Sequence, residues 1–389
     1  MAETWTVKRC MDWTCGYLKD KGKDRARFAA EWMLSSVTGL SRVELYMNHE
    51  RPLSPDELSL MHEYVVRRVK GEPLQYITGD TQFRTLRILC EPGVLIPRPE
   101  TEMLVEEVLG WLDANVLGPS GAKRRVELPW NDEVTAARKA EREAAARLEA
   151  NRESGEDGDA GTEPEPGAVA GVTVDAGAGP EPDADASAVA AITPDGTEAQ
   201  NAVQPPAPGP DPTSRDARVL EIGCGTGCVS LSLAAERPGR VTCVATDVDP
   251  HAVALSLRNR EALGIDPERA DFREGDLTSP VEFDERGTFD VLVSNPPYIP
   301  ESVMAEIPAE VADYEPRLAL ASGADGLDMF RRILHTFPHM VRPGGLLACE
   351  LYEGALDAAA SLCQAEGLQA VRIVPDLTGR PRFILAQLP

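Results

Sequence analysis

The chain has 389 residues and a formal net charge of −25 at pH 7. This length predicts two or three domains. Because nucleic-acid binding depends mainly on Lys and Arg contacts to phosphate, so acidic a chain is not expected to bind DNA or RNA directly. The eight cysteines form no Cys-x-x-Cys pair, which argues against a zinc site or a disulfide framework.

No segment of the sequence indicates export or a membrane. Residues 1–20 lack the basic and then apolar pattern of a signal peptide, and no apolar run is long enough to cross a bilayer. We therefore expect a soluble, cytoplasmic protein. We also expect it to act as a monomer without a metal ion.

Residues 1–79 predict a small helical domain. Phe28, Ala29 and Met33 fall on one helical face, and Ser54 begins another helix as the N-cap of a capping box. Helical periodicity alone does not tell whether such a domain holds a substrate, holds a partner or only supports the fold.

Residues 80–99 contain short β-type runs and then an extended segment around Arg98, where Pro97 and Pro99 restrict the backbone. Composition alone would make Arg98 a surface residue. The segment 100–116 then predicts a helix from Met103 to Leu112, with acidic residues in its first turn.

Residues 117–215 differ from the rest in composition. Residues 154–215 contain twelve Asp or Glu, ten Pro and no aromatic residue, and they carry 11 of the 25 net negative charges. Such a segment cannot bury enough apolar surface to offset its ordering entropy. We interpret 117–215 as a disordered acidic Pro/Gly/Ala-rich insertion; a tolerated loop expansion is favoured over a partner-binding role.

From Ala217 onward the pattern alternates between strands and helices and predicts an α/β domain over 100–116 and 216–389. The strand 218–222 leads into a glycine loop, Gly223 to Gly227, at the start of a helix. Such a loop lets the backbone approach a ligand closely. The next strand ends in Asp247, twenty residues after Gly227, where a carboxylate can accept hydrogen bonds from ribose hydroxyls.

A buried apolar strand over 289–293 ends in Ser294-Asn295-Pro296-Pro297-Tyr298. The Asn295 side chain and the Pro296 carbonyl are hydrogen-bond acceptors, and Tyr298 offers a flat face for stacking. These groups suit the recognition of an –NH2 on a planar system, such as an amide or an aromatic amine. The alternative is a proline-rich turn without chemistry.

The order of these motifs separates the glycine loop from other nucleotide sites. A dinucleotide fingerprint needs a glycine where this chain has Cys228, and the Lys-Ser/Thr of a P-loop is absent. Strand, glycine loop, helix, strand, Asp247 and a later Asn-Pro-Pro-Tyr are together typical of S-adenosylmethionine-dependent methyltransferases.

Several segments resemble one family, the peptide chain release factor glutamine N5-methyltransferases, also called the HemK or PrmC family. The matching segments are 68–79 with Phe83, Leu95 to Glu102, the glycine loop, Ser294 to Tyr298, and Tyr314 to Leu320. The resemblance implies an N-terminal helical domain that helps to hold a release factor. It also implies a Rossmann-like, seven-stranded class I methyltransferase sheet that methylates the glutamine of the factor's Gly-Gly-Gln motif.

The resemblance also implies roles for individual residues. Asn295, Pro296 and Tyr298 would be catalytic and would hold the glutamine with Pro297, while Arg98 would lie in the wall of the substrate entrance. The residues implied at the cofactor are Gly223, Cys224, Gly225, Thr226, Gly227, Asp247, Asp276, Leu277 and Asn295, with Asp276 and Leu277 beside the adenine. Two departures are Cys224, in place of a Thr-like residue, and the insertion.

Two other classes of protein compete with this interpretation. Adenine-N6 and guanine-N2 nucleic-acid methyltransferases use the same kind of motif, because an exocyclic amine is also a planar –NH2, but they need a surface that holds the strand. An inactive scaffold that kept the fold would be expected to have lost the glycine loop or Asn295, and both are present.

Overall fold

The computed structural model describes residues 4–118 and 215–389. Its helices are α1 (Val7–Asp20), α2 (Ala26–Thr38), α3 (Arg42–Met47), α4 (Pro55–Val69), α5 (Leu74–Thr78), α6 (Thr101–Asn115), α7 (Cys228–Glu236), α8 (Pro250–Ala262), α9 (Ala309–Ala312), α10 (Asp328–Met340) and α11 (Leu356–Ala365). Its strands are β1 (Asp80–Phe83), β2 (Leu86–Leu89), β3 (Ala217–Ile222), β4 (Val241–Asp247), β5 (Ala270–Glu274), β6 (Phe289–Ser294), β7 (Val341–Glu350), β8 (Gln369–Pro375) and β9 (Pro381–Gln387).

Helices α1 to α5 pack around their own apolar core. The predicted capping box at Ser54 is confirmed: its hydroxyl accepts from the Glu57 N–H, and the Glu57 carboxylate accepts from the Ser54 N–H. Ala29 and Met33 are buried, as predicted. Phe28 is instead 42% exposed, at the edge of that face, with its ring edge-on to Trp32.

Seven strands form one sheet in the order β5-β4-β3-β6-β7-β9-β8, which confirms the predicted seven-stranded α/β fold. Strands β3 to β7 run parallel, and β9 lies antiparallel between β7 and β8. The chain runs outward from β3 to β5 and then returns to the other side of β3 with β6. Ligands bind at such a switch point, beyond the carboxyl ends of the strands.

Each face of the sheet carries its own core. Val219 and Val291 pack on one face with α6 and α7, and their neighbours Leu220 and Leu292 pack on the other face with α10 and α11. This alternation follows from the two-residue period of a strand. It explains why these strands carry apolar residues on both faces.

Some element boundaries differ from the predictions. Helix α6 is longer than predicted at both ends, and β7 begins at Val341, five residues before the strand that the apolar run 346–351 predicts. Leu117, the first residue of the predicted insertion, is 4% exposed and belongs to the core beside α6. The rest of that prediction, from residue 119 to residue 214, lies outside the described residues. Within residues 4–118 and 215–389, no helix is long and apolar enough to span a membrane.

Candidate active site

The glycine loop and the Asn-Pro-Pro-Tyr segment leave the sheet side by side. Ile222 at the end of β3 pairs with Ser294 at the end of β6, so Gly223 and Asn295 follow in neighbouring positions. The buried Ser294 hydroxyl donates to the Ile222 carbonyl at 2.6 Å and joins the two strand ends. The two motifs predicted from sequence therefore meet at the switch point of the sheet.

A cleft of about 1060 Å³, counting the part open to solvent, lies beyond these strand ends. Eleven of the predicted site residues line it. They are Arg98, Gly223, Cys224, Gly225, Thr226, Asp247, Asp276, Leu277, Asn295, Pro296 and Pro297. Gly227 and Tyr298 are not in its lining.

Glycine is required in the loop for two different reasons. Gly225 lines the cleft with φ +55°, in the left-handed region. Gly227 has φ +79°, and a Cβ at this position would lie 2.9 Å from Cζ of Phe272. Gly227 thus lets α7 pack against β5, which explains its place behind the cleft. The Cys224 thiol is buried, 3.5 Å from the Ser256 hydroxyl, as expected if the backbone of the loop does the binding.

Asp247 presents its carboxylate in the wall of the cleft beside the glycine loop. One oxygen accepts from the Gly225 N–H at 2.9 Å and the other from the Asp249 N–H at 3.0 Å. Burial raises the pKa of Asp247, although these backbone donors favour its ionised form. The carboxylate oxygens retain lone pairs for hydroxyl donors from a ligand in the cleft.

Asp276 and Leu277 lie on the β5 side of the cleft. The exposed Asp276 carboxylate pairs with Arg332 at 2.7 Å. Leu277 has φ +51°, a left-handed conformation that is uncommon for leucine, and its carbonyl accepts from the Thr246 hydroxyl at 2.7 Å. This hydrogen bond holds the backbone turn that brings Leu277 into the cleft.

The carboxamide of Asn295 has a hydrogen bond at its nitrogen and none at its oxygen among the described residues. Its Nδ2 donates to the Thr101 hydroxyl at 3.0 Å, and its Oδ1 is buried without a hydrogen-bond partner among the described residues. A buried acceptor without a partner is costly, so each such group calls for an explanation. In the lining of a cleft, this oxygen is placed to accept from a ligand N–H.

Tyr298, the last residue of the motif, has a hydrogen-bond partner at the sheet. Its hydroxyl donates to Oε1 of Glu350 at 3.1 Å, and its ring packs against the core on the α10 and α11 face. Burial is the main cause that raises the pKa of Tyr298, and the negative charge of Glu350 adds to it. The stacking role stays a prediction, and the hydrogen bond gives Tyr298 a structural partner at the end of β7.

Arg98 belongs to an extended wall of the cleft that runs from Gly93 to Arg98. Its Nη2 donates to both carboxylate oxygens of Glu315, whose side chain is 1% exposed. Burial raises the pKa of Glu315, and Arg98 opposes that shift. Arg98 is therefore a partly buried residue of the wall and not a free surface arginine.

The sequence contained a signal for two acidic residues that we did not single out. Glu221 and Glu350 each interrupt an apolar strand, and both are buried, 2% and 1% exposed. Burial raises the pKa of Glu221 to about 8, whereas the hydrogen bonds from Ser230 oppose that shift. Glu350 accepts from both Thr101 and Tyr298. A charged residue inside a buried strand is expected to have partners, and this expectation applies to both.

The chain is similar to known proteins in both of its parts. A model of the PrmC N-terminal domain matches residues 10–79, and a model of the methyltransferase small domain matches residues 211–310. A release factor glutamine methyltransferase of Geobacter sulfurreducens is 32% identical over 98% of this chain and 96% of its own length. That of Chlorobaculum tepidum is 30% identical over 91% of this chain and 88% of its own length.

One relative lacks the same overall coverage but is more similar locally. A release factor glutamine methyltransferase of Cereibacter sphaeroides is 43% identical over 44% of this chain and 60% of its own length. A solved methyltransferase structure from Pyrococcus furiosus matches with a TM-score of 0.32 and 26% identity, covering 44% of this chain and 75% of that one.

Proposed function

This chain belongs to the release factor glutamine methyltransferase family, and we propose that it transfers a methyl group from S-adenosylmethionine to the side-chain amide nitrogen (N5) of a glutamine. The substrate is the glutamine of the Gly-Gly-Gln motif in peptide chain release factors. The observation that carries this proposal is the buried, unpartnered Oδ1 of Asn295 in the lining of the cleft. It is an acceptor that needs an N–H, and a carboxamide offers two.

The residues around the glycine loop fit the cofactor. Gly223, Cys224, Gly225 and Thr226 line the cleft and offer backbone to a ligand, with α7 beginning just behind them. Asp247 would accept from the ribose hydroxyls. The Leu277 side chain and the Asp276 segment would lie beside the adenine, since both line the cleft just after the end of β5.

Bound S-adenosylmethionine supplies a methyl group made electrophilic by its sulfonium. The amide nitrogen of glutamine is a poor nucleophile, because its lone pair is delocalised into the carbonyl. Oδ1 of Asn295 and the carbonyl of Pro296 would accept its two hydrogens and favour positive charge as it develops on the nitrogen. Fixing the nitrogen in this way supplies orientation, which contributes on the order of 7–11 kcal/mol in favourable cases.

The helical domain contacts a segment that continues into the lining of the cleft. The Tyr314 hydroxyl donates to the Lys70 carbonyl at 3.1 Å, and Arg68 pairs with Glu310 at 2.8 Å. The same segment continues to Pro316 and Leu318, which line the cleft. A protein held by the helical domain would thus lie beside the entrance, which supports a release factor as the partner. The reaction would take place in the cytoplasm, with the enzyme acting as a monomer.

A nucleic-acid amine is the other candidate substrate, because the Asn295 acceptor would also suit adenine N6. The charge of the protein disfavours a nucleic-acid substrate. Residues 154–215 carry 11 of the 25 net negative charges, so the rest of the chain still has a net charge of −14 and would repel phosphate. We therefore propose that the protein makes no direct contact with nucleic acid.

Purified protein with labelled S-adenosylmethionine should be offered a release factor, the same factor with Gln→Glu in its Gly-Gly-Gln motif, and DNA or RNA in parallel. Mass spectrometry should find one methyl group on the glutamine of the first factor only. The Gln→Glu factor should not react, because a carboxylate has no N–H for Asn295 and Pro296 and would face two acceptors. Methylation of an adenine, with neither factor modified, would overturn the proposal.

A further inference from the structure

Thr101 connects Asn295 to a buried carboxylate. Its hydroxyl oxygen accepts from Nδ2 of Asn295 at 3.0 Å, and its hydroxyl hydrogen is donated to Oε2 of Glu350 at 2.7 Å. Thr101 is 2% exposed and Glu350 is 1% exposed. The three side chains come from α6, the end of β6 and the end of β7, so the connection exists only in the folded protein.

The direction of these hydrogen bonds fixes the direction of the Asn295 carboxamide. A hydroxyl has one hydrogen, and an ionised carboxylate only accepts. Burial raises the pKa of Glu350, while the hydrogen bonds that it accepts from Thr101 and Tyr298, together with the positive charge of Arg382, favour its ionised form. In the observed arrangement Thr101 gives its one hydrogen to Glu350, so its oxygen can only accept from Asn295. Asn295 must then turn its N–H toward Thr101 and its Oδ1 toward the cleft.

We propose that Thr101 and Glu350 are positioning residues that determine which end of the Asn295 carboxamide faces the substrate. This inference rests on the proposed function, because the unpartnered Oδ1 is the group that would accept from the glutamine N–H. With the carboxamide reversed, the cleft would present an N–H donor and would no longer match the substrate nitrogen. This positioning role differs from a purely structural role of buried Glu350, because it decides whether Asn295 presents an acceptor or a donor to the cleft.

The first test compares Thr101→Val, Thr101→Ser and Thr14→Val. Valine removes the hydroxyl at nearly constant volume, serine retains it, and Thr14 is a buried threonine of α1 outside the cleft. We expect Thr101→Val to lower kcat about 100-fold, within the range found when one oriented group at a developing charge is removed. Its Kd for S-adenosylmethionine by calorimetry should stay within about twofold, because Thr101 makes its hydrogen bonds to Asn295 and Glu350 and not to the glycine loop or Asp247. Thr101→Ser should restore most of kcat, and Thr14→Val should retain it.

The second test is Glu350→Gln, whose –NH2 can donate to Thr101 and free the Thr101 hydrogen to face Asn295. The carboxamide would then turn its N–H to the cleft. We expect a loss of kcat together with a shift in binding preference: the ratio of Kd for the Gln factor to Kd for the Gln→Glu factor should rise about tenfold over wild type, since one acceptor has become a donor. Loss of packing alone would not move this ratio.

The outcomes separate the two proposals. A wild-type enzyme that methylates no release factor would overturn the proposed function. An active wild type whose Thr101→Val variant keeps its kcat would overturn only the positioning role, as would a Glu350→Gln variant with an unchanged Kd ratio. If Thr101→Val does not fold, the Kd ratio of Glu350→Gln decides.

Discussion

Nη2 of Arg98 donates to both carboxylate oxygens of Glu315, at 2.6 and 2.7 Å. The two residues are 217 positions apart and belong to two different segments that resemble the family. Their ion pair joins the wall before α6 to the segment that follows α9, on the side of the cleft where Pro316 and Leu318 lie. This ion pair therefore connects two segments of the cleft wall that are far apart in the sequence.

Removing Arg98 should destabilise the protein, because it leaves the Glu315 carboxylate buried and unpaired. We expect Arg98→Ala to lower the free energy of unfolding by about 2–3 kcal/mol, and Arg98→Ala with Glu315→Gln to recover part of it. Arg331→Ala is the control, since its pairs with Asp325 and Asp328 are solvent-exposed and each worth less than about 1 kcal/mol. Urea denaturation measures all three; equal effects of Arg98→Ala and Arg331→Ala would contradict the prediction.

Asn295→Ala should abolish methyl transfer while cofactor binding falls only modestly. The substituted protein lacks the Oδ1 acceptor and also the donor to Thr101. Turnover measured at saturating S-adenosylmethionine, with calorimetry for the cofactor, separates the two effects. A variant that loses cofactor affinity but keeps its rate when saturated would show that the assigned role is wrong.

Asp247→Ala should act in the opposite way and weaken cofactor binding by ~1.5–3 kcal/mol through lost charge-assisted hydrogen bonds. Part of the loss comes from the loop itself, because Asp247 also accepts from the Gly225 N–H. Asp247→Asn keeps one acceptor oxygen and should lose less. An unchanged Kd in Asp247→Ala, measured by calorimetry, would remove this residue from the cofactor site.

Glu221 should make the stability of the protein depend on pH. Burial, and to a lesser extent the charge of Asp247, raise its pKa to about 8 in the folded protein, against a usual value of 4.5. The folded state therefore holds the proton more tightly, and stability falls as pH rises from about 4.5 to about 8. Both hydrogen bonds from Ser230 go to one oxygen, which glutamine can retain. The melting temperature of Glu221→Gln relative to wild type should thus increase between pH 5 and pH 8.

The exposed Glu366→Gln serves as the control for this pH series, because it changes the same charge outside the core. Its melting temperature relative to wild type should stay constant over the same interval. Parallel curves for Glu221→Gln and wild type would mean that Glu221 titrates in its ordinary range.

Deleting residues 120–213 and joining the ends with a short flexible linker should leave a folded, active enzyme. The described ends already meet: the Arg215 N–H donates to the Val116 carbonyl at 3.1 Å, and Arg240 donates to the carbonyls of Leu117 and Arg215 at 3.2 Å each. Loop length changes the closure entropy by only about 0.6 kcal/mol per doubling. A melting temperature lowered by many degrees, or lost turnover, would contradict this prediction.

The sequence by itself determined the elements and the family of this protein. The capping box at Ser54, the apolar strand before Asn295 and the glycine loop are local patterns, and local patterns act through the backbone within a few residues of themselves. The spacing between the glycine loop and Asp247 placed both in one βαβ unit. Together with the resemblance to the family, these signals predicted the seven-stranded sheet, which the structure confirms.

Only the tertiary structure decided which side chains surround Asn295. The register of β3 with β6 brings it beside the glycine loop, and helix packing brings Thr101 to it from 194 residues away. The structure also gives Tyr298 a partner that the motif does not predict, since its hydroxyl donates to Glu350. The sequence could not show these partners, because a hydrogen bond depends on positions to within tenths of an ångström. Those positions are set when separate elements pack together.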